Sequence, residues 1–122
     1  MNTTFKQGED KKVTVFVEQT PIPDFTTADE VVVILFVGEN IQAKYSLNSK
    51  PEHGKLDIDG TDKNKLYAYV ERAESVGFDA GALSAHVIGK FPNAEFADGN
   101  EVTTWDLNVG RVNTGRALSE DI

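Results

Sequence analysis

The side chains of this sequence best suited to hold an ion are the oxygen-bearing ones between positions 57 and 64. Asp57, Asp59 and Asp62 supply carboxylates and Asn64 supplies an amide oxygen, which are ligand types that calcium prefers. An EF-hand loop needs a glycine at its sixth position and a glutamate at its twelfth, whereas the glycine here is the fourth residue. We therefore expect a metal-free hairpin turn, and weak calcium binding is the alternative.

Catalytic chemistry has little support in the other polar residues. His53 and His86 are the only histidines and cysteine is absent, so a three-histidine zinc site, a thiolate zinc site and a cysteine nucleophile are excluded. The glycine-rich phosphate-binding motifs and the H-E-x-x-H motif are missing as well. No sequence pattern identifies either histidine as the activated base of a serine triad. We therefore predict that the protein is not an enzyme and binds no cofactor and no metal.

Aromatic side chains are the other candidates for a binding site, because flat rings contribute large contact areas. Tyr67 and Tyr69 alternate with apolar residues, so we expect both rings on the outward side of a strand, towards solvent, a neighbouring layer or a partner. Trp105 shares its side of a strand with Leu107 and Val109 and is expected in the core. The two tyrosines are therefore assigned to a partner-binding surface.

Two further segments are expected to dock on partner proteins. The stretch from Phe91 to Asn100 is polar and long for a hairpin connection, yet it contains the apolar ring of Phe96. The polar C-terminal tail shows no strand pattern but carries Leu118 and Ile122. We expect Phe91, Phe96, Leu118 and Ile122 to contact other proteins.

The elements that must position these residues are β-strands. Apolar and polar residues alternate with the two-residue period of strands along most of the chain, and the continuous apolar run of residues 31–37 predicts a central strand buried on both faces. Turn residues separate the strands at intervals of about ten residues. The pattern predicts an all-β fold, an antiparallel immunoglobulin-like β-sandwich of about seven strands. The predicted strands cover residues 12–17, 31–37, 41–47, 55–60, 65–70, 83–91 and 102–109.

Length and charge bound the organisation and the partners. The 122 residues suit one domain, with a β-sandwich over residues 1–112 and a tail or docking arm over residues 113–122. The net charge of −8 disfavours contact with the phosphate backbone of nucleic acids. The start of the chain has no apolar export signal, and the longest apolar run is too short to span a bilayer. We therefore expect protein partners, and neither nucleic acid nor membrane.

Several short segments occur in an order that resembles a known family. They are FKQGE at residues 5–9, IPDFT at 22–26, GAL at 81–83, FPNAEFADG at 91–99 and NTG at 113–115. With them, the chain resembles the immunoglobulin-like domains of tailed-bacteriophage virion proteins, especially the N-terminal domain of baseplate upper proteins and related fibre or decoration proteins. In that family the domain packs into rings or onto trimers and carries no enzyme site. The resemblance implies a virion location, other virion proteins as partners and a homo-oligomer.

The function that the resemblance implies is that of a non-enzymatic structural component of a bacteriophage virion, in capsid decoration, head-fibre attachment or tail and baseplate attachment. Baseplate upper proteins usually continue into fibre segments, whereas this sequence stops at Ile122, which favours a small stand-alone component. A carbohydrate-binding or adhesin-like β-sandwich module is the alternative, with Trp105, Tyr67 and Tyr69 stacking on sugars and the carboxylates of residues 57–62 holding calcium. A small hydrolase is a third and weaker alternative.

Overall fold

The computed structural model describes residues 2–115 as eight β-strands with two short helical turns. The strands are β1 Thr3–Lys6, β2 Lys11–Phe16, β3 Glu30–Val37, β4 Asn40–Ser46, β5 Gly54–Ile58, β6 Lys65–Val70, β7 Gly81–Pro92 and β8 Asn100–Asn113. A 3₁₀ turn covers Phe25–Thr27 and a short helix, α1, covers Arg72–Ser75. The predicted all-β class is confirmed. Within the described residues, no helix is long and apolar enough to cross a membrane.

The strands form one mixed sheet in the order β1-β8-β7-β3-β4-β5-β6-β2. β1 runs parallel to β8 and β4 runs parallel to β5, whereas the other neighbours are antiparallel. The prediction of a plain antiparallel sandwich of about seven strands is therefore wrong in strand number and in strand direction. The missed strand, β1, has four residues with Phe5 alone buried, so it is too short to show a period.

The sheet curls until its two ends meet. The first two residues of β5 pair with β4, whereas Leu56, Asp57 and Ile58 pair with β6. At the two ends of the strand order, the Thr14 N–H of β2 donates to the Oγ1 atom of Thr3 in β1 at 3.2 Å. As a result, β5, β6 and β2 enclose one hydrophobic core together with β4, β3, β7 and β8.

The core takes the inward residues of the strands. Val31, Val33 and Leu35 of β3 are fully buried, and β3 lies between β4 and β7 as expected of a central strand. Trp105 is 4% exposed, which confirms its predicted place in the core. Its indole N–H donates to the carbonyl of Pro21 at 3.0 Å, so burial leaves this polar group satisfied.

The outward side of β3 is less covered than the sequence indicated. Val32 is buried, but Ile34 and Phe36 are half-buried. The prediction of a strand buried on both faces is therefore wrong for Ile34 and Phe36.

The hairpin of β7 and β8 defines two opposite ends of the molecule. Its paired residues run from Gly81 and Val112 at one end to Pro92 and Asn100 at the other. We name these the base end and the tip end. The distance between them is roughly 36 Å at a rise of about 3.3 Å per residue.

The helix α1 lies at the base end. The Gly8 N–H donates to the Oγ atom of Ser75 at 3.1 Å, and the Ser75 hydroxyl donates to the carbonyl of Glu9 at 2.7 Å. The Gln7 N–H in turn donates to the carbonyl of Asn113 at 3.1 Å. The turn after β1, the helix α1 and the end of β8 are therefore joined at one end of the fold.

Candidate docking surfaces

The connection between β7 and β8 is closed by its own backbone hydrogen bonds. This tip loop comprises residues 93–99. The Asn93 N–H donates to the Gly99 carbonyl at 2.8 Å, and the Gly99 N–H donates to the Phe96 carbonyl at 2.9 Å. The Phe96 N–H donates to the Asn93 carbonyl at 3.2 Å, and Gly99 has a φ of +79°, which glycine adopts without strain. These bonds hold the loop in one shape without a partner.

Short polar side chains fix the same loop. The Oδ1 atom of Asn93 accepts from the Glu95 N–H at 3.0 Å, and its Nδ2 atom donates to Glu101 at 3.1 Å. The Oδ1 atom of Asp98 accepts from the Asn100 N–H at 3.0 Å. Asn and Asp favour such local hydrogen bonds in turns. The polar composition of the segment thus serves to order its backbone.

Phe96 is displayed on this ordered loop. It is 49% exposed, and the neighbouring Glu95, Asp98 and Glu101 are exposed as well. None of these three carboxylates takes part in an ion pair within residues 2–115. The tip end therefore presents an apolar ring flanked in sequence by unpaired carboxylates.

Phe91 packs beside the core rather than on the loop. Its ring meets Trp105 edge-on, with the centroids 6.3 Å apart. A Cβ atom on Gly89 would lie 2.5 Å from the Cε2 atom of Phe91, so the glycine makes room for the ring. Phe91 is half-buried and joins the edge of the core. The assignment of Phe91 as a partner-binding residue stays a prediction. Its described contacts fix the end of β7 from which the tip loop starts.

The outward side of β2, β5 and β6 carries three lysines stacked on three aromatic rings. The pairs, with the distance from Nζ to the ring centroid, are Lys12 over Tyr67 at 4.3 Å, Lys55 over Tyr69 at 4.6 Å and Lys65 over Phe16 at 4.8 Å. We name these six residues the lysine–aromatic face. An exposed cation–π pair contributes about 0.5–1 kcal/mol. The predicted outward orientation of the two tyrosines is confirmed, and the lysines partly cover their rings.

The acidic segment after β5 forms a hydrogen-bonded turn. The Oδ2 atom of Asp59 accepts from the N–H groups of Thr61 at 2.9 Å and Asp62 at 2.8 Å, and its Oδ1 atom accepts from the Tyr67 hydroxyl at 2.5 Å. These hydrogen bonds, that of the Asp62 N–H first, lower the pKa of Asp59 to about 2. The Asp62 carboxylate pairs with Lys65 at 3.1 Å. Among residues 2–115, no group of three His, Asp or Glu side chains is placed to hold a metal ion.

Two clefts share Tyr69 as a wall and adjoin α1 at the base end. Their volumes are about 600 Å³ and about 430 Å³, within the roughly 300–1,000 Å³ of ligand pockets. Tyr69, Glu71 and Ala73 line both clefts. The larger cleft is also lined by Asp10, Lys11, Lys12, Val70 and Arg72, and the smaller one by His53, Gly54, Lys55 and Glu74.

The larger cleft offers free positive charge. Asp10 accepts from the Arg72 N–H at 2.7 Å and lies 3.6 Å from its Nε atom, so these two residues largely neutralise each other. Neither Lys11 nor Lys12 takes part in an ion pair within the described part of the chain. The carboxylate of Glu71 lines the same cleft and is in no ion pair within residues 2–115 either, so the two lysines leave one positive charge in excess for an acidic partner.

The structure also pairs His86 with Asp106, a contact that sequence reasoning missed. The Nδ1 atom of His86 lies 2.6 Å from the Oδ1 atom of Asp106 across β7 and β8. The register of these strands shifts between Leu83 and Ser84, so no sequence spacing indicates the pair. On the other side of His86, its paired residue on β3 is Ile34. Ile34 is apolar and cannot serve as a nucleophile.

The predicted tail contacts lie outside the described residues. Leu118 and Ile122 belong to residues 116–122, which follow the last described residue, Gly115. The Gly115 N–H donates to the Oε1 atom of Gln7 at 3.2 Å. The tail therefore begins at the base end.

No protein-family model, curated protein or solved structure matches the chain. The resemblance to immunoglobulin-like domains of phage virion proteins is carried by the sequence segments alone and stays a prediction. The described residues offer two surfaces to a partner, the tip loop and the lysine–aromatic face with its clefts.

Proposed function

We propose that this chain is a non-enzymatic assembly domain that docks on partner proteins through its tip loop, as a structural component of a bacteriophage virion. The observation that carries the docking proposal is the half-exposed ring of Phe96 on a loop closed by backbone hydrogen bonds. The virion location and the virion partners come from the resemblance of the sequence segments.

An ordered loop favours docking because little freedom is lost when the partner binds. Immobilising one flexible side chain at an interface costs about 0.5–1.5 kcal/mol, and the tip loop has its backbone already fixed by hydrogen bonds. A few buried aromatic anchors supply most of the binding energy of many interfaces. Phe96 is a suitable anchor because about half of its surface is open to solvent, whereas Phe91 is engaged by Trp105.

We also propose that the fold is a variant of the immunoglobulin-like sandwich. Immunoglobulin domains place strands B, E and D in one sheet and strands C′, C, F and G in the other. The neighbours β2-β6-β5 and β4-β3-β7-β8 follow that arrangement when β2 to β8 are equated with B, C, C′, D, E, F and G. The departures are the parallel edge strand β1 and the buried tryptophan, which lies on β8 rather than on the strand equated with C.

Three perturbed titratable groups have structural causes, which favours a non-enzymatic role. Burial first, and then the carboxylate of Glu74, raise the pKa of Tyr45, whose hydroxyl donates to Glu74 at 2.9 Å. The Thr26 hydroxyl, by a hydrogen bond, lowers the pKa of Asp24, and the turn amides lower that of Asp59. Each shift has its origin in the core or in a local turn, rather than in a group poised for proton transfer.

The structure supports a carbohydrate-binding role less well than a docking role. Trp105 is buried, Asp59 and Asp62 are engaged in their own turn, and Tyr67 lies beneath a lysine. Tyr69 remains as a candidate stacking platform because it forms a wall of two clefts. One partly covered ring is a small platform for a sugar.

Particle incorporation tests the proposed function. The tagged chain is produced alongside the native particle, and the amount in gradient-purified particles is measured for the wild type, for Phe96→Ala and for a chain lacking residues 116–122. Both changes should lower incorporation at least about tenfold, which corresponds to about 1.4 kcal/mol. Ile41→Ala is the matched control, because Ile41 is 54% exposed and lies on β4 rather than on the tip loop.

Thermal melts of the same variants separate docking from folding. The melting temperature should change by less than about 2 °C for Phe96→Ala, because surface substitutions usually alter stability by about 0.5 kcal/mol or less. Normal incorporation of both variants would defeat the proposal. The interface would then be sought on the lysine–aromatic face, starting with Tyr67 and Tyr69.

A further inference from the structure

The two surfaces carry opposite free charge. The tip loop and the first residues of β8 hold Glu95, Asp98 and Glu101 and contain no lysine or arginine. The larger cleft beside Tyr69 is lined by Lys11 and Lys12 and by the carboxylate of Glu71, none of which is in an ion pair within residues 2–115, so its free cations outnumber its free anion. In a chain with a net charge of −8, such a cationic cleft is a local exception.

These surfaces also lie at opposite ends of the molecule. The tip loop follows Pro92 at the tip end, whereas the larger cleft adjoins α1 at the base end. The hairpin between the two ends spans roughly 36 Å at about 3.3 Å per residue. The tip loop therefore cannot reach the cleft of its own chain, but it can reach the cleft of a second copy that points in the same direction.

We propose that the chain self-associates head to tail, with the tip loop of one copy seated in the larger cleft of the next. Phe96 lies against Tyr69 of the neighbouring copy, and the carboxylates of the loop face Lys11 and Lys12. This inference rests on the proposed function, since it names a second copy of the chain as a partner of the tip loop.

The larger cleft has the chemistry that such a contact requires. Its volume of about 600 Å³ accommodates an aromatic side chain. Ala73 offers a methyl group and Tyr69 an aromatic ring to the incoming Phe96 ring, although the Lys55 ammonium, 4.6 Å from the Tyr69 centroid, covers part of that ring. Lys12 lines the cleft, and its ammonium lies 4.3 Å from the centroid of the Tyr67 ring, which does not line the cleft, so this charge lies towards the edge of the cleft.

Charge favours this arrangement over a symmetric contact between two tip loops. Two tips would bring Glu95, Asp98 and Glu101 of both copies together, and like charges across an interface are disfavoured. A head-to-tail contact joins an acidic tip to a cationic cleft. It also leaves one free tip and one free cleft, so repetition closes a ring or extends a filament.

Sedimentation velocity of the full chain tests the proposal. At low ionic strength, the average mass should rise above that of one chain as the protein concentration increases. At about 1 M salt the association should weaken at least about tenfold, because the Debye length falls to about 3 Å. Phe96→Ala and Lys12→Glu should each weaken it at least about tenfold, whereas Ile41→Ala and removal of residues 116–122 should leave it unchanged.

Mixing two defective chains tests the direction of the contact. Phe96→Ala retains an intact cleft, and Lys12→Glu retains an intact tip loop. An equimolar mixture should therefore form heterodimers that stop at two chains, although neither variant associates alone. A symmetric contact between identical surfaces would not be restored by mixing.

Three results would overturn the self-association. The first is a wild-type chain that stays monomeric at about 1 mM, where even a weak complex with a binding free energy of about −4.1 kcal/mol is half formed. The second is a mixture of the two variants that forms no heterodimer. The third is association that strengthens when residues 116–122 are removed, since the cleft would then be the binding site of the tail. If the wild type is monomeric and the Phe96→Ala variant still fails to enter particles, self-association is overturned and the proposed function stands. Association in solution combined with normal incorporation of Phe96→Ala would overturn the proposed function alone.

Discussion

Gly110 lies directly against the backbone of Thr3, since a Cβ atom at position 110 would lie 1.7 Å from the Thr3 carbonyl oxygen. This contact belongs to the parallel pairing of β8 with β1. We predict that Gly110→Ala displaces β1 and lowers the free energy of unfolding by roughly 1–3 kcal/mol, the usual cost of overpacking. Chemical denaturation measures the change.

Gly60→Ala is the control at an open position, without the φ of +156° at Gly110, whose strain adds to the packing cost of Gly110→Ala. Nothing lies within 4 Å of a Cβ atom added at Gly60, so its free energy of unfolding should stay within about 0.5 kcal/mol of the wild type. Equal stability of the Gly110→Ala and Gly60→Ala variants would show that β1 is not packed as described.

Asp59 should make the stability of the chain depend on pH in acid. Its pKa is about 2 in the folded chain against an ordinary value of 3.8, so the unfolded chain binds a proton more readily. The stabilising contribution is therefore complete above pH 3.8 and is lost as the pH falls towards 2. Asp59→Asn should flatten the dependence of the melting temperature on pH in this window, whereas Asp57→Asn should keep it. A wild-type slope in Asp59→Asn would contradict the turn geometry.

Chelation should leave the fold intact. The Asp59 carboxylate already accepts three hydrogen bonds and Asp62 pairs with Lys65, so the turn does not need a cation to hold it together. We predict that EDTA changes the melting temperature by less than about 1 °C, because a metal that stabilises a fold contributes through its binding free energy. A fall of several degrees that calcium reverses would replace the turn with a metal site.

The two sides of β3 should respond differently to a charge. Leu35 is fully buried, whereas Ile34 is half-buried on the outward side of the strand. Leu35→Asp should abolish cooperative folding, because an unpaired buried charge is strongly disfavoured. Ile34→Asp should fold with reduced stability, measured by circular dichroism during thermal melting. A soluble Leu35→Asp variant that melts cooperatively would contradict the described core.

Local patterns were sufficient to predict most of the strands. Alternation along β2, β4, β6 and β7 marked both their existence and their inward residues, such as Val13 and Leu83. The parallel pairing of β1 with β8 was not predictable, because Thr3 and Gly110 lie near opposite ends of the chain and the four residues of β1 show no period. Strand direction depends on such distant contacts rather than on local composition.

The candidate surfaces were predictable only in part. Phe96 stood out because an apolar ring is unexpected in a polar segment, and its exposure is confirmed. The stacking of Lys12 on Tyr67 and of Lys55 on Tyr69 depends on the register of three strands. No pattern in the sequence indicated that the lysines would cover the predicted tyrosine surface, or that clefts would form beside it.

The most direct test of docking through the tip loop is to ask what Phe96 touches in the assembled state. A photoreactive phenylalanine analogue is placed at position 96, and in a matched chain at the equally exposed position 41. Both chains are irradiated in the native particle, and cross-linked peptides are identified by mass spectrometry. We expect cross-links from position 96 to a virion protein or to the Tyr69 cleft of a second copy, and few from position 41. Cross-linking from position 96 no greater than that from position 41 would show that the tip loop does not dock.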